Sequence, residues 1–589
     1  MAHVTEPAER RRRAQRPTVR GRRYVIAAGH ALACVAGQRM LESGGNAIDA
    51  GVAAGIANNV LQPDIAHFGG IAPIIVYRAA TRTVHAVQGV GRWPAAASIS
   101  AFKERGHREI PRGVLRCIVP AAPSSWLRAL EEFGTKAFGE VAAPAIDLAE
   151  QGFPMYDFLA AGIRSHADAY ATWPANSAIF LPQGRPPAPG ELFVQADLAR
   201  TLRTMAHAEG DRAAGSRGAG LDAARAAFYR GEIAQAMVRF SQQEGGLVSA
   251  EDLASLDTPV LPPCRVSYRG LDVYACGPWS QGPVLLQTLK ILEGMPMGSL
   301  EHNSPEYVHA VVEALKLSFA DRERYYGDPE FVRVPLDELL SDRYAERRRA
   351  LIDSSRAWPE LPPSGDGRRP IAAPAVPGHA GRTDTSYLCA IDADGNIFSA
   401  TFSDGSYDVP VVPGLGIPMS SRGSQAWLDP AHPNSVQPRK RPMITPNPVL
   451  VLRDGTPYMA IGSPGGDVQP QAMVQVLFNM LHFGMDPQQA VEAPRFSTSS
   501  VPDSFSPHRY EPGVLRLEAE FAAETVQRLN ALGHRVAIRD PESYWLSGGV
   551  CVAVRDGRGL LSAGADPRRL LRRRLVGAAA GGRAASPTR

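Results

Sequence analysis

"GRTDTSYLCAIDADGN", residues 381–396, decides how this chain is read. "TSYLCAI" and the following "NIFSATF" flank "DADG". An aspartate–glycine turn between two apolar, β-branched runs predicts a hairpin. Thr385 opens its first strand, and the quoted stretch itself holds no histidine to activate its hydroxyl. It is either an ordinary strand-edge residue or a nucleophile uncovered by cleavage. Before it, residues 353–383 replace apolar periodicity with proline, glycine and charge, so this stretch reads as an exposed linker. A hydroxyl placed just behind such a linker suggests that the chain is cut at the junction.

The rest of the chain fits an α+β layout of helices with some strands, the linker, then a hairpin-rich part. Residues 1–22 read as a disordered basic arm, and 575–589 as a disordered tail. Residues 31–62 predict two helices broken at "ESGGN", with Asn46 capping the second. "APIIVYRAATRTVHAVQGV" and "PNPVLVLRDGTPYMAIG" predict two more hairpins, and a helix follows from 469 to 483. Helical patterns fill 122–345, interrupted by "AEGDRAAGSRGAGLDAAR", which reads as a low-complexity surface insertion. "EYVHAVVEALKLSFADRERYYGD" predicts an amphipathic helix.

Composition excludes several classes. Of the 589 residues, 44% are apolar and 21% charged, an ordinary globular balance. A net charge of +4, with arginines gathered at the two ends, gives no argument for nucleic acid. Six scattered cysteines without a CxxC pair argue against a disulfide framework or a zinc ribbon. No 18-residue apolar run predicts a membrane span. The basic start followed by "YVIAAGHALAC" imitates a signal peptide, but helix-like sequence runs straight on from it, so a solvated basic tail and a cytoplasmic protein are expected. His30, His67, His302 and His309 have no metal-ligand spacing and read as structural; no metal or cofactor is expected.

Nine stretches, in order from about residue 25 to 570, make the chain resemble the gamma-glutamyltransferases. They include "LESGGNAIDAGVA" (41–53), "EALKLSFADRERYYGDP" (313–329), "TSYLCAIDADGN" (385–396), "GSPGGDVQPQ" (462–471) and "GADPRR" (564–569). The resemblance implies an N-terminal-nucleophile hydrolase with a four-layer αββα sandwich. It implies a precursor that cuts itself between Asp384 and Thr385 into a large subunit, 23–384 after the arm, and a small subunit, 385–589. It implies that Thr385 is the nucleophile and that Ser403, in "SATFSDG", is the second hydroxyl set against it. A threonine hydroxyl needs a base. The freed α-amine, titrating near ~7.7–8, can serve, and the missing histidine is then no puzzle. Gly465 and Gly466, in "SPGGD", are the implied oxyanion donors, and Asp467 is expected to cap the helix that follows.

Departures from the family pattern bear on the substrate. The family holds the substrate α-carboxylate with an arginine four residues before a proline. Here "GVGRWPAAA" puts Val90 in that place and Arg92 two residues before Pro94. Gln425 stands where the family has an acid for the substrate amine, with Arg422 nearby. A pair of serines becomes Ile444 and Thr445, and the segment between Trp427 and Lys440 is too short for the usual lid. Arg92, Arg422, Gln425 and Thr445 are therefore the candidate substrate ligands, suited to a carboxylate without a neighbouring ammonium. The expected partners are a small-molecule amide, water or an amine acceptor, and the two subunits of one precursor, alone or as a dimer of such pairs. Two other readings stay open: a true gamma-glutamyltransferase with rearranged ligands, and an uncleaved, inactive binding protein.

Overall fold

The computed structural model describes residues 14–211, 215–369 and 384–569, and the backbone of Ala579–Gly581. The "DADG" hairpin forms as the sequence predicts. Ser386–Ile391 pairs antiparallel with Ile397–Phe402, Ser386 opposite Phe402 and Ile391 opposite Ile397. It sits in the middle of a seven-stranded sheet: Ala579–Gly581, Val25–Ala28, Ser386–Ile391, Ile397–Phe402, Ile74–Arg78, Thr83–Val87, Val260–Leu261. A second seven-stranded sheet runs Val19–Gly21, Leu561–Ala565, Cys551–Arg555, Thr456–Gly462, Val449–Arg453, Leu271–Ala275, Cys264–Tyr268.

Strand alternation puts successive side chains on opposite faces. Tyr387, Cys389, Ile391 and Ile397 therefore enter the core between the two sheets, beside Leu450, Ala460 and Ala553. Leu388, Ala390, Phe398 and Ala400 face helices on the outside of the first sheet. Gly282–Glu293, Pro305–Tyr325 and Val468–Leu481 cover the outside of the second sheet. The layers are αββα.

Ala31–Glu42 and Ala47–Leu61 are the two helices expected around "ESGGN". Asn46 closes the second one: its side chain accepts from Ile48 N at 2.8 Å, while Asp49 Oδ2 accepts from Asn46 N at 2.9 Å. That helix is buried along its whole length. A Cβ added at Gly51 would stand 2.1 Å from the Phe398 ring, so this contact with the hairpin requires glycine.

Five expectations change. The Pro305–Tyr325 helix is not amphipathic, because Tyr307 to Glu323 are buried on every side. Its charges are buried as pairs: Lys316 Nζ lies 2.7 Å from Glu313 Oε1, and Arg322 holds Asp467. A hairpin, Cys264–Tyr268 with Leu271–Ala275, stands inside the supposedly helical region. Its turn, Arg269–Gly270, takes positive φ at both residues, 47° and 81°. The "insertion" is mostly helix, Ala196–Gly210 and Arg217–Tyr229, with 212–214 outside the described residues. Glu209 works there as a buttress, accepting from Phe138 N and Gly139 N, each at 2.7 Å. The first part of the linker is anchored: Lys316 Nζ donates to Trp358 O at 2.7 Å, and Ala357 and Leu361 are buried. Residues 370–383 lie outside the described residues. Finally, Val19–Gly21 of the basic arm is an edge strand paired with Leu561–Ala565, and Ala579–Gly581 of the tail pairs with Val25–Ala28. The remainder of both stretches, 1–13 and 582–589, with 575–578, lies outside the described residues.

Candidate active site

Hairpin register places the two hydroxyls. One step beyond the Ser386–Phe402 pair, Thr385 meets Ser403, and their hydroxyl oxygens stand 2.7 Å apart. Both residues are fully buried. The amide of Thr385 donates to Ile65 O at 2.7 Å, and Asp404 N reaches the same carbonyl at 3.2 Å. Arg569 Nη1 donates to Thr385 O at 2.9 Å. Thr385 is thus gripped on both sides while its φ is 101°. A β-branched residue in that region stores about 1–3 kcal/mol, and such a conformation persists only where the surroundings enforce it.

Arg422 sits in the short Ser421–Gln425 turn and is buried under the Phe505 ring, 5.0 Å from its centroid. Its Nη2 lies 2.6 Å from Asp384 Oδ2 and also donates to Ser403 Oγ. Its Nε is 3.4 Å from Asp404 Oδ1. Asp404 accepts from Ser420 Oγ (2.5 Å), Ser421 N (3.1 Å) and Ser421 Oγ (2.6 Å). Burial pushes its carboxyl up to about 6, against the pull of Arg422 and the two serines. Burial also brings Arg569 down to about 10, opposed by Asp384 and Asp64. Asp64 itself is pushed up by burial to about 7.

Gly465 and Gly466 carry φ of 122° and 58°. Their loop leads into Val468–Leu481, and Gln281 Nε2 pins Gly466 O at 2.8 Å. Gly465 lines a narrow cavity together with Arg569, the residue that holds Thr385. Asp467 does not cap the helix. Its carboxylate is taken by Arg322 and by Ser504, N at 2.9 Å and Oγ at 2.6 Å.

Of the candidate substrate ligands, only Arg422 touches the two hydroxyls' surroundings. Gln425 and Thr445 are buried and satisfy each other: Gln425 Nε2 donates to Thr445 Oγ1 at 3.0 Å. Arg92 is held elsewhere, in a cleft with Trp93 and Asp252. Its Nη2 donates to both Glu330 oxygens, at 2.7 and 2.9 Å, and its Nη1 donates to Arg439 O, so its guanidinium is already engaged by a protein carboxylate. Three of the four histidines have structural partners. His30 Nδ1 caps Leu32 N, His302 bonds Asn479, and His309 bonds His534 and Asp353 O. His309, Glu313 and His534 do cluster, but the Glu313 oxygens are engaged by Lys316 and Trp358 N. His67 departs from the structural reading. It is buried, and neither ring nitrogen has a hydrogen-bond partner among the described residues.

The sequence reading missed Asp404, Arg569 and His67 as neighbours of the site. Asp404 carried a weak signal, an acid directly after Ser403; Arg569 lay in the quoted "GADPRR" motif without a role read from it, and His67 was read as structural, because the fold brings both in from far along the chain.

Two seven-stranded sheets between helical layers, with a hydroxyl at the head of a central strand, form the fold of the N-terminal-nucleophile hydrolases. The family model for gamma-glutamyltranspeptidase matches residues 33–572, and the chain belongs to that family. It is 35% identical over 558 residues to a glutathione hydrolase-like YwrD proenzyme of Bacillus subtilis (strain 168), covering 94% of this chain and 98% of the relative. It is 34% identical over 542 residues to the Acylase ACY 1 proenzyme of Pseudomonas sp. (strain SE83), covering 88% of each. The cephalosporin acylase structure from Bacillus halodurans superposes with a TM-score of 0.82 at 30% identity, over 96% of this chain and 97% of that one. The chain is therefore an enzyme of the hydrolase and acyl-transferring type.

Proposed function

We propose that the chain cuts itself before Thr385 and then works as a threonine amidohydrolase on a small acyl group that bears a carboxylate and no ammonium. The observation that carries this is the 2.7 Å approach of Thr385 Oγ1 to Ser403 Oγ at the 384–385 junction, inside a buried site built by Arg422, Arg569 and Ile65.

In the precursor, Thr385 Oγ1 attacks the carbonyl carbon of Asp384. The C–N bond breaks, the hydroxyl proton passes to the leaving nitrogen, and water hydrolyses the resulting ester. The α-amine so freed is the base of turnover. In each cycle Oγ1 attacks the substrate amide, the amine product leaves with a proton, and water releases the acid. Ser403 relays or orients the proton, and the Gly465–Gly466 backbone faces the developing oxyanion. The "proenzyme" in the names of the Bacillus and Pseudomonas relatives supports the processing step.

Arg422 is the site's buried cation for a substrate carboxylate. The position where the family places an acid for the α-ammonium carries no charge here, and the described acid beside Ser403 is already engaged. Gln425 offers a neutral amide already bonded to Thr445, and the Asp404 oxygens are covered by Ser420, Ser421 and Arg422. A lost charged hydrogen bond in a closed site costs about 1.5–3 kcal/mol, roughly 10–150-fold in rate. On processed enzyme, kcat/KM for glutaryl-p-nitroanilide should exceed that for γ-glutamyl-p-nitroanilide by that factor. The two compounds differ only in the amine, so a clear preference for the γ-glutamyl compound sinks the substrate argument.

A further inference from the structure

Asp384 occupies an unusual position. Its own carbonyl is the one that Thr385 would attack, and its side-chain carboxylate is the one that Arg422 holds at 2.6 Å, with both side chains buried. The precursor thus presents an acyl carbon and a carboxylate to the same two groups, Thr385 Oγ1 and Arg422, that a substrate would meet later. Between the attacked carbon and the carboxylate carbon lie two carbons, Cα and Cβ. This is the skeleton of a succinyl group.

The site keeps unused capacity around that carboxylate. Arg422 Nη1 is buried and has no hydrogen-bond partner among the described residues, and the same holds for both ring nitrogens of His67. His67 is close enough to Arg422 for the guanidinium, after burial itself, to disfavour its protonated form. A neutral imidazole can donate from one nitrogen. A buried polar group left without a partner costs free energy, so such groups gathered beside one cation suit a polar ligand.

Resting on the Thr385 reading above, we propose that the Asp384 side chain is a built-in template for the substrate, and that Arg422 with His67 forms a carboxylate subsite matched to four-carbon, succinyl-type amides. Cleavage makes Asp384 the end of the large subunit. Its departure then releases Arg422 Nη2 for the incoming carboxylate, and the unpartnered Nη1 and His67 take its second oxygen. The acyl carbon then falls at Thr385 Oγ1 when two carbons separate it from the carboxylate. One carbon falls short of this span and three overreach it.

The test uses the processed wild-type enzyme with malonyl-, succinyl- and glutaryl-p-nitroanilide, and p-nitrophenyl acetate run alongside. The expected result is a kcat/KM for the succinyl compound about tenfold or more above each of the other two. His67→Ala should raise KM for the succinyl compound and narrow that preference. Equal rates, a malonyl or glutaryl preference, or no turnover of any of the three overturns the subsite. If p-nitrophenyl acetate still acetylates Thr385 in that event, read by peptide mass, the nucleophile assignment stands without it. Absence of Thr385 acetylation together with absence of turnover overturns both.

Discussion

Thr385 is buried, left-handed in φ, and bound through its amide, its carbonyl and its hydroxyl. Such a grip leaves the hydroxyl few orientations, which is what a single attack on the preceding carbonyl needs. Ser403 is its closest partner, so Ser403→Ala should lower turnover or maturation by about 10–100-fold, near the usual range for one assisting group. Maturation is followed on a denaturing gel and turnover with a p-nitroanilide; unchanged values would leave Ser403 a structural residue. Asp64 gives a pH test of the site's surroundings. Its pKa of about 7 lies above the ordinary carboxyl value, because burial penalises the charge. The folded state therefore binds the proton more tightly, and the stabilisation is complete below pH ~4 and lost as pH rises through about 7. In the single-chain Thr385→Ala background, Asp64→Asn should be neutral or worse in urea at pH 4 and should gain about 1–3 kcal/mol relative to Asp64 by pH 8. The "DADG" hairpin was legible in the sequence, but the pairing of Thr385 with Ser403 came from the family resemblance, and the register of the strands agrees with it. Spacing to a proline brought Arg92 forward as a candidate, and says nothing about Glu330, which reaches it from 238 residues away.

At the scale of elements, hairpins with aspartate–glycine turns were readable and the one with an arginine–glycine turn was not. Cys264–Ala275 has short runs of mixed polarity, and its strand character comes from pairing with Val449–Arg453, a long-range contact. The Pro305–Tyr325 helix showed the converse. Its periodicity was real, yet ion pairs such as Glu313–Lys316 let its polar face be buried as well. Ala47–Leu61 ties this scale to the site, since Asn58 Nδ2 donates to Ser386 Oγ at 2.7 Å, next to Thr385. Its approach to the hairpin depends on Gly51 against Phe398. Gly51→Ala should therefore cost about 1–3 kcal/mol by overpacking and slow maturation. Urea unfolding of the Thr385→Ala chain with and without Gly51→Ala checks it, and an unchanged midpoint would mean that the layers can part there cheaply.

Across the whole molecule, the 384–385 junction separates sequence but not structure. Ser386–Ile391 pairs with Val25–Ala28, Ile397–Phe402 with Ile74–Arg78, and Val449–Arg453 with Leu271–Ala275. Both sheets are built from strands on either side of the proposed cut, so the two fragments it would make should co-elute in gel filtration and part only in denaturant. No helix among the described residues is long and apolar enough to cross a membrane. The αββα plan was legible only through the ordered motifs from 41 to 569, because local patterns do not say which hairpins share a sheet.

Every step proposed for this chain requires that it free its own threonine. N-terminal sequencing of the smaller fragment of the purified protein, beside Thr385→Ala, tests it most directly. The wild type should give two bands, the smaller reading TSYLC, and Thr385→Ala one band of 63.1 kDa. A wild type that stays at 63.1 kDa, or a smaller fragment that starts at any other residue, would contradict it.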